Sequence, residues 1–235
     1  MYGEYNIPAS IEKEGLHITI ERDGNSFFYR RDCLDERAEK RLLASDGKVL
    51  LNPVEPLNKP KVLTPHLLVA FDKTLAVEPR MCEKIFITFP IEIGVYISTI
   101  KELHLIDVFT FTRPKFTVYG DPRNGVLCKY WQSGIHSLMP STDPFHQGFM
   151  ELSISNTMSD WIEVTKSVFN ANGMKIYYND RMVTMKAEMK LRAGNIAETE
   201  FADAPLENGM MNSLEIYTAR RLAVTSPKFI MEYGL

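Results

Sequence analysis

A strict alternation of apolar residues near the middle of the chain constrains the fold more than any other feature. Every odd-numbered position from 85 to 97 is apolar, whereas the even positions between them are mixed in character. Side chains with a period of two lie on opposite faces of a β-strand, whereas a helix needs spacings of three and four. We therefore predict a strand with its odd residues against a core. Because thirteen residues span roughly 40 Å, we expect it to bend or break at Pro90 or Gly94.

Shorter alternating runs recur along the chain and predict further strands. Residues 16–20 and 27–29 flank the turn sequence Asp23-Gly24-Asn25, which is typical of a β-hairpin. Apolar residues alternate again in three later segments, at 150–154, 162–164 and 183–191. Because one side of these runs is polar, we expect antiparallel sheets with a solvated face.

One segment predicts a helix instead. Residues 34–44 follow Asp32, which can cap a helix, and Glu36 precedes Lys40 by four residues. The sequence as a whole therefore predicts a mainly β protein of two antiparallel β-sandwich-like units with one or two short helices.

The composition of one segment suggests where the chain divides into two domains. Residues 140–147 contain Pro, Ser, Thr and Asp and resemble a linker. We predict an N-terminal β-rich domain over 1–139 and a C-terminal β-rich domain over 148–235, with a single continuous assembly as the alternative. A proline-rich segment at 52–60 excludes a helix and predicts an extended surface segment that lies on its own domain, with a polyproline ligand as the alternative.

Composition argues against several classes of function. The net charge is −3 and no cluster of Lys and Arg exceeds three, so we do not expect nucleic acid as a partner. The sequence contains no apolar run that approaches the length of a membrane span and no signal peptide at its start, which favours a cytoplasmic location. Cys33, Cys82 and Cys128 are too scattered for a disulfide framework or a zinc knuckle, and we expect unreactive thiols.

Two carboxylates are the candidates for catalysis. Asp107 continues the otherwise apolar odd face of residues 103–111, where a carboxylate needs a partner or a shifted pKa. Two other interpretations of Asp107 are a β-bulge near Ile106 that turns it outward and a structural pair with an Arg. Glu92 is a weaker candidate, because its place on the mixed face of the long strand favours a solvated side chain.

A second group of candidates could bind a ligand. Basic and aromatic side chains accompany the loop that contains Asp121-Pro122-Arg123, and they could form an anion-attracting end of a sheet. The alternative is a turn that sets the register of a hairpin. The candidate ligand-binding residues are Arg113, Lys115, Asp121, Arg123, Lys129 and Trp131.

Metal and cofactor chemistry are not indicated. His136, Asp143 and His146 lie close together in the sequence, but their spacing matches no strong metal motif. The signatures of phosphate-binding loops, dinucleotide sites and nucleophile elbows are missing. We predict no metal and no cofactor.

Four short sequence segments are similar to those of a known family. They are residues 51–57 (LNPVEPL), 89–95 (FPIEIGV), 119–123 (YGDPR) and 228–232 (KFIME). On the basis of these segments, the chain resembles an uncharacterised archaeal family known only as a domain of unknown function. The resemblance extends over nearly the whole chain and implies an archaeal, intracellular source, but it implies no activity and no site residue.

These observations favour a non-catalytic binding or assembly protein. An unusual carboxylate-dependent enzyme is the alternative, and a structural subunit of a larger complex is a further one. We also expect a homo-oligomer, most simply a dimer, because sheet edges must be covered. Phe86, Tyr96, Tyr177 and Tyr178 supply apolar area for such a contact, unless the chain buries them internally.

Overall fold

The computed structural model describes residues 2–44, 46–99, 102–216 and 228–235, and strands dominate these ranges. A 3₁₀ turn, Ala171–Gly173, is the helical element within them. The strands are β1 (Gly3–Asn6), β2 (Ala9–Lys13), β3 (Leu16–Asp23), β4 (Ser26–Cys33), β5 (Glu36–Leu42), β6 (Lys48–Val54), β7 (His66–Val77), β8 (Cys82–Pro90), β9 (Glu92–Ser98), β10 (Leu103–Phe109), β11 (Lys115–Tyr119), β12 (Val126–Ser133), β13 (Gln147–Asn156), β14 (Ile162–Asn170), β15 (Tyr177–Tyr178), β16 (Val183–Ala193), β17 (Ile196–Ala202), β18 (Met211–Asn212) and β19 (Phe229–Met231). The predicted mainly β, sandwich-like fold class is confirmed.

The described strands form four sheets. The first has the order β2-β3-β4-β5, the second β1-β6-β9-β10 and the third β11-β12-β7-β14. The fourth has the order β18-β15-β16-β13-β8, with β17 beside β16 and β19 beside β17. Most neighbours are antiparallel, as predicted, whereas β12 with β7 and β13 with β16 are parallel pairs of strands distant in the sequence.

The long alternating run forms two strands in different sheets. It breaks at Ile91, beside Pro90, so that β8 joins the fourth sheet and β9 joins the second. The odd residues from Ile85 to Ile97 are all buried, as predicted. Gly94 lies within β9 and does not interrupt the strand, and a Cβ atom there would lie 2.7 Å from the ring of Tyr96. Gly94 therefore permits close packing, and Pro90, which lacks an N–H, marks the change of sheet.

The helix predicted over residues 34–44 is wrong, because this segment forms the turn after β4 and then β5. Leu34 has a φ of 51°, which reverses the chain, and β5 pairs with β4 in an antiparallel hairpin. Arg30 faces Glu39 across this hairpin, with 3.0 Å between Nε and Oε1. Alternating charges at these spacings can form ion pairs across two strands as well as along a helix. The segment is a strand because the tight turn at Leu34 brings it beside β4.

Strands from both sides of the predicted linker share two sheets. In the fourth sheet β13 pairs with β8, and in the third sheet β14 pairs with β7. A contiguous cluster of buried apolar side chains also includes residues from both sides. The division into two domains at 140–147 stays a prediction. The pairing of β13 with β8 and of β14 with β7 is the arrangement that the alternative, a single continuous assembly, requires.

The aromatic residues expected at a dimer contact are packed within the chain. Tyr96, Tyr177 and Tyr178 are buried, and Phe86 is half-buried with its ring edge-on to Phe149. The predicted dimer therefore needs a different surface. No helix in the described ranges is long and apolar enough to cross a membrane.

Candidate functional site

Asp107 lies in a buried ion pair between the second and first sheets. The register of β10 against β9 shifts between Leu105 and Asp107, which marks a β-bulge. The Asp107 carboxylate accepts hydrogen bonds from Arg31 Nε at 2.6 Å and from the Tyr29 hydroxyl at 2.8 Å. The structure thus contains the Arg partner that the sequence left open for this residue. It also contains a bulge, but the side chain of Asp107 is only 11% exposed and is not turned outward to solvent.

The surroundings of Asp107 change the proton affinity of its partners. Burial raises the pKa of the Tyr29 hydroxyl, and the neighbouring Asp107 charge raises it further. Burial lowers the pKa of Arg31, but its hydrogen bond and ion pair with Asp107 more than offset this, so the pKa is raised overall. The cluster therefore keeps a neutral phenol and a charged guanidinium at neutral pH.

Glu92 is not the solvated side chain that its place on the mixed face predicted. Its side chain is 1% exposed, and Lys129 Nζ lies 2.6 Å from Oε1. The backbone N–H groups of Asn58 and Lys59 donate to the same carboxylate at 2.8 and 3.0 Å. Because these two residues belong to the proline-rich segment, Glu92 and Lys129 hold that segment against β9 and β12. Residues 52–57 are buried and 52–54 form the end of β6, so the prediction of a surface segment is wrong.

Glu36 and Lys59 connect the two buried pairs. Lys59 Nζ lies 2.9 Å from Glu36 Oε2, and Arg31 Nη1 donates to the Glu36 carbonyl at 3.4 Å. A chain of contacts therefore runs from Asp107 through Arg31, Glu36 and Lys59 to Glu92. Sequence reasoning missed Arg31, although it is a charged residue on the otherwise apolar odd face of β4, the same signal that singled out Asp107.

A cleft of about 200 Å³ opens beside this chain of contacts. Three segments form its walls: the turn between β4 and β5, the proline-rich segment, and the residues that follow β10. The cleft is lined by Cys33, Leu34, Asp35, Glu36, Lys59, Pro60, Thr110, Thr112, Arg113 and Pro114. The lining therefore combines two cationic and two anionic side chains with hydroxyl and apolar groups.

Two of the lining residues, Asp35 and Arg113, form an exposed ion pair. Arg113 Nη2 lies 3.5 Å from Asp35 Oδ2, and the two side chains are 91% and 92% exposed. The wall beneath Asp35 is held in place by a hydrogen bond from Leu34 N to the Gly15 carbonyl, at 3.0 Å. Leu34 is in the left-handed backbone region, which is costly for a non-glycine residue and is enriched at functional sites.

The Cys33 thiol belongs to the less reactive part of the lining. Burial raises its pKa to about 11, although the Arg31 charge opposes this increase. The thiolate is the nucleophilic form of cysteine, so we expect the Cys33 thiol to be protonated at pH 7 and slow to react.

The remaining ligand-binding candidates lie outside the cleft. Asp121 accepts hydrogen bonds from the backbone N–H groups of Arg123 and Asn124 at 2.8 and 3.1 Å, and these bonds lower its pKa. The loop is thus built as the turn of the β11–β12 hairpin. Lys115 is exposed on β11, and Trp131 Nε1 donates to Thr88 Oγ1 at 3.0 Å. Of the six candidates, Arg113 lines the cleft, and Lys129 Nζ donates to the carbonyl of the lining residue Lys59 at 3.4 Å. The other four, Lys115, Asp121, Arg123 and Trp131, do not line it.

Two of the three residues considered for a metal site, Asp143 and His146, lie close together, and Asp143 also pairs with Lys13. His146 Nδ1 lies 3.2 Å from Asp143 Oδ2, and Lys13 Nζ lies 2.7 Å from Asp143 Oδ1. The backbone of His136 forms an isolated bridge with Phe86. Across the part of the chain that the structure describes, no group of three or more His, Cys, Asp or Glu side chains could hold a metal ion.

Comparison with protein-family models supports the resemblance seen in the sequence. A family described as protein of unknown function (DUF432) matches residues 1–232. Searches among curated proteins and among solved structures found no match. Because the family model covers nearly the whole chain, the protein belongs to this family of proteins of unknown function.

Proposed function

We propose that this protein is a non-catalytic binding protein that holds a small zwitterionic molecule in the cleft beside Glu36 and Lys59. The observation that carries the proposal is the balanced lining, in which Lys59 and Arg113 oppose Asp35 and Glu36. A ligand with both an ammonium and a carboxylate group can replace both partners of the Arg113–Asp35 ion pair, whereas a singly charged ligand can replace only one of them.

The size of the cleft supports a ligand no larger than an amino acid. Sites for drug-sized molecules occupy about 300–1,000 Å³, and this cleft measures about 200 Å³. The Arg113 guanidinium can donate two parallel hydrogen bonds to a carboxylate, and Asp35 and Glu36 can accept from an ammonium group. Because exposed ion pairs contribute about 0–1 kcal/mol, the Arg113–Asp35 pair can open for a ligand at little cost.

The surroundings of the two catalytic candidates favour binding over catalysis. Asp107 accepts from Arg31 and Tyr29, and Glu92 accepts from Lys129 and two backbone N–H groups. The alternative, an unusual carboxylate-dependent enzyme, requires one of these carboxylates to leave its donors and reach a substrate. The further alternative, a structural subunit of a larger complex, uses the same contacts for rigidity alone.

Titration calorimetry with glycine, acetate and methylammonium tests the proposal. We expect saturable binding of glycine and at least tenfold weaker binding of each singly charged compound. Arg113→Gln should weaken glycine binding, whereas Arg123→Gln, which changes an exposed arginine in a distant turn, should not. No saturable binding of glycine, or equal binding of acetate, would overturn the zwitterion proposal.

We also propose a cytoplasmic location, which agrees with the archaeal, intracellular source that the resemblance implies. All three cysteines are free, and Cys82 is exposed, as suits a reducing compartment. Alkylation in freshly lysed cells followed by mass spectrometry should find all three thiols reduced. A reversibly oxidised Cys82 in most molecules would contradict this location.

We retain the two-fold dimer as a proposal, with sheet edges at the contact. The strands β10 and β11 lie at the ends of their sheets, and Leu103 and Leu105 are exposed on β10. Unpaired strand edges are ready sites for association. Light scattering at micromolar concentration should give about twice the 26.9 kDa of one chain, and a mass of 26.9 kDa at every concentration would refute the dimer.

A further inference from the structure

An apolar groove lies where the third and fourth sheets are joined, away from the cleft described above. The turn from β7 to β8 links the two sheets there, and β14 starts beside it, with Ile162 paired to Val77. The groove is lined by Leu75, Ala76, Val77, Glu78, Met81, Glu83, Ile85, Ile154 and Trp161. Its floor is formed by residues that belong to the buried core, including Ile85 and Ile154.

Trp161 is the most conspicuous side chain of this groove. It is 64% exposed, and Met81 beside it is also exposed. Burying an aromatic ring of this size is strongly favourable, and Trp is enriched among the residues that dominate binding energy at interfaces. Met adapts its shape to different partners. Trp161 and Met81 therefore add solvent-exposed apolar area to the buried apolar residues of the groove, as is typical of a binding surface.

The volume of the groove indicates the size of its occupant. It measures about 180 Å³, below the range of about 300–1,000 Å³ that is typical of small-molecule sites. One large apolar side chain fits such a space, whereas a whole cofactor does not. A single inserted side chain is how an extended peptide segment anchors in a pocket.

The charges of the groove indicate what flanks that anchor. The residues that line it include Glu78 and Glu83 and, within the described ranges, no Lys or Arg. Lys84 lies 3.0 Å from Glu151 in an ion pair, and Arg80 lies in the adjacent turn without lining the groove. Opposite charge across an interface speeds association and excludes partners of the same sign.

We propose that this groove docks a segment of a partner protein that inserts one large apolar side chain beside Trp161 and carries Lys or Arg next to it. This inference is independent of the zwitterion cleft, because the two sites share no lining residue. The apolar side chain of the partner is buried against Trp161 and contributes the apolar contact, and the flanking cations face Glu78 and Glu83.

The two tryptophans of the chain allow a direct test by NMR. Trp131 donates its indole N–H to Thr88 and serves as an internal control, while Trp161 reports on the groove. The probes are three capped synthetic peptides: Gly-Lys-Phe-Lys-Gly, the same peptide with Glu in place of Lys, and the same peptide with Gly in place of Phe. We expect the first to shift the Trp161 indole signal saturably, and the other two to bind at least tenfold more weakly.

Matched variants separate the roles of charge and apolar surface. The double variant E78Q/E83Q should weaken binding of the cationic peptide and reduce its preference over the acidic one, whereas E207Q, an exposed change outside the groove, should do neither. No shift of Trp161 with any peptide, or equal shifts with the acidic peptide, would overturn the proposal. A doubled mass that is lost in Trp161→Ser would also overturn it, because a second copy would then cover the groove.

Discussion

Lys129 Nζ lies 2.6 Å from Glu92 Oε1, and neither side chain is more than 5% exposed. The pair connects β12 with the start of β9, and the same carboxylate also receives two backbone N–H groups from the proline-rich segment. Three parts of the chain that are distant in sequence therefore meet at one carboxylate. A buried charge is tolerated there because each carboxylate oxygen has a donor.

Removing the cation should be costly. We expect Lys129→Met to lower the free energy of unfolding by about 3–5 kcal/mol, because it leaves a buried carboxylate without its ion partner. Lys48→Met is the matched control, since Lys48 pairs with Glu4 on the surface, where such pairs contribute about 0–1 kcal/mol. Urea unfolding followed by circular dichroism measures both.

A double variant checks the cause of this loss. Lys129→Met combined with Glu92→Gln should be more stable than Lys129→Met alone, because the uncompensated charge is gone while one acceptor for the backbone remains. If the double variant loses as much as the two single variants together, the ion pair is not the reason for the loss.

The core packing of β9 gives a second prediction. Ile93 is fully buried, so Ile93→Ala should cost about 2–5 kcal/mol and Ile93→Val about 0.5–1.5 kcal/mol, from lost apolar contact and the remaining cavity. Ile230→Ala removes the same atoms from an exposed position and should cost under about 0.5 kcal/mol. Equal losses at the two positions in chemical denaturation would contradict the observed burial.

Thiol reactivity should separate the three cysteines. Burial raises the pKa of Cys33 to about 11 and that of Cys128 to about 12, so both stay protonated at neutral pH, whereas Cys82 is exposed. Ellman's reagent should therefore modify one thiol rapidly in the native protein and all three after unfolding. Cys82→Ser should abolish the rapid phase, and a rapid phase that persists would show that a buried thiol is reachable.

Asp143 should contribute stability in a defined pH range. Burial raises the pKa of its carboxyl, but hydrogen bonds from Lys13 and from Phe145 N lower it more, and the folded value lies below the ordinary 3.8. The stabilisation is thus fully present above the unfolded pKa and is lost as the pH falls through the lower folded value.

The change Asp143→Asn tests this dependence. Because the side chain is 43% exposed, we expect a loss of less than about 1 kcal/mol at pH 7. The difference from the unchanged protein should shrink to nothing at pH values below the folded pKa. Urea unfolding across the acid range measures it, and a difference that stays constant with pH would refute the assigned role.

The local pattern of residues was sufficient for the strands and hairpins. The odd face from Ile85 to Ile97 is buried because successive side chains in a strand point to opposite sides. The turn at Gly24-Asn25 joins β3 and β4 in the predicted hairpin. In contrast, the charges of residues 34–44 suited a helix and a strand equally, and the pairing of β5 with β4 decided between them.

The candidate site could be predicted only in part. Asp107 stood out because it was charged on an apolar face, and Arg113 because it was a cation near a loop, but no local pattern connected either to Glu36 or Lys59. Glu92 looked solvated because the proline-rich segment that covers it precedes it by more than thirty residues in the chain.

The sequence by itself determined several of the strands, the buried odd face of residues 85–97 and the hairpin turn at Gly24-Asn25, because these depend on side-chain alternation and on the backbone preferences of neighbouring residues. It did not determine β5, which it predicted as a helix. The tertiary structure alone decided which sheet each strand joins and which charges pair. It also placed the cleft at Arg113 and the groove at Trp161, because contacts between distant segments depend on how the sheets pack together.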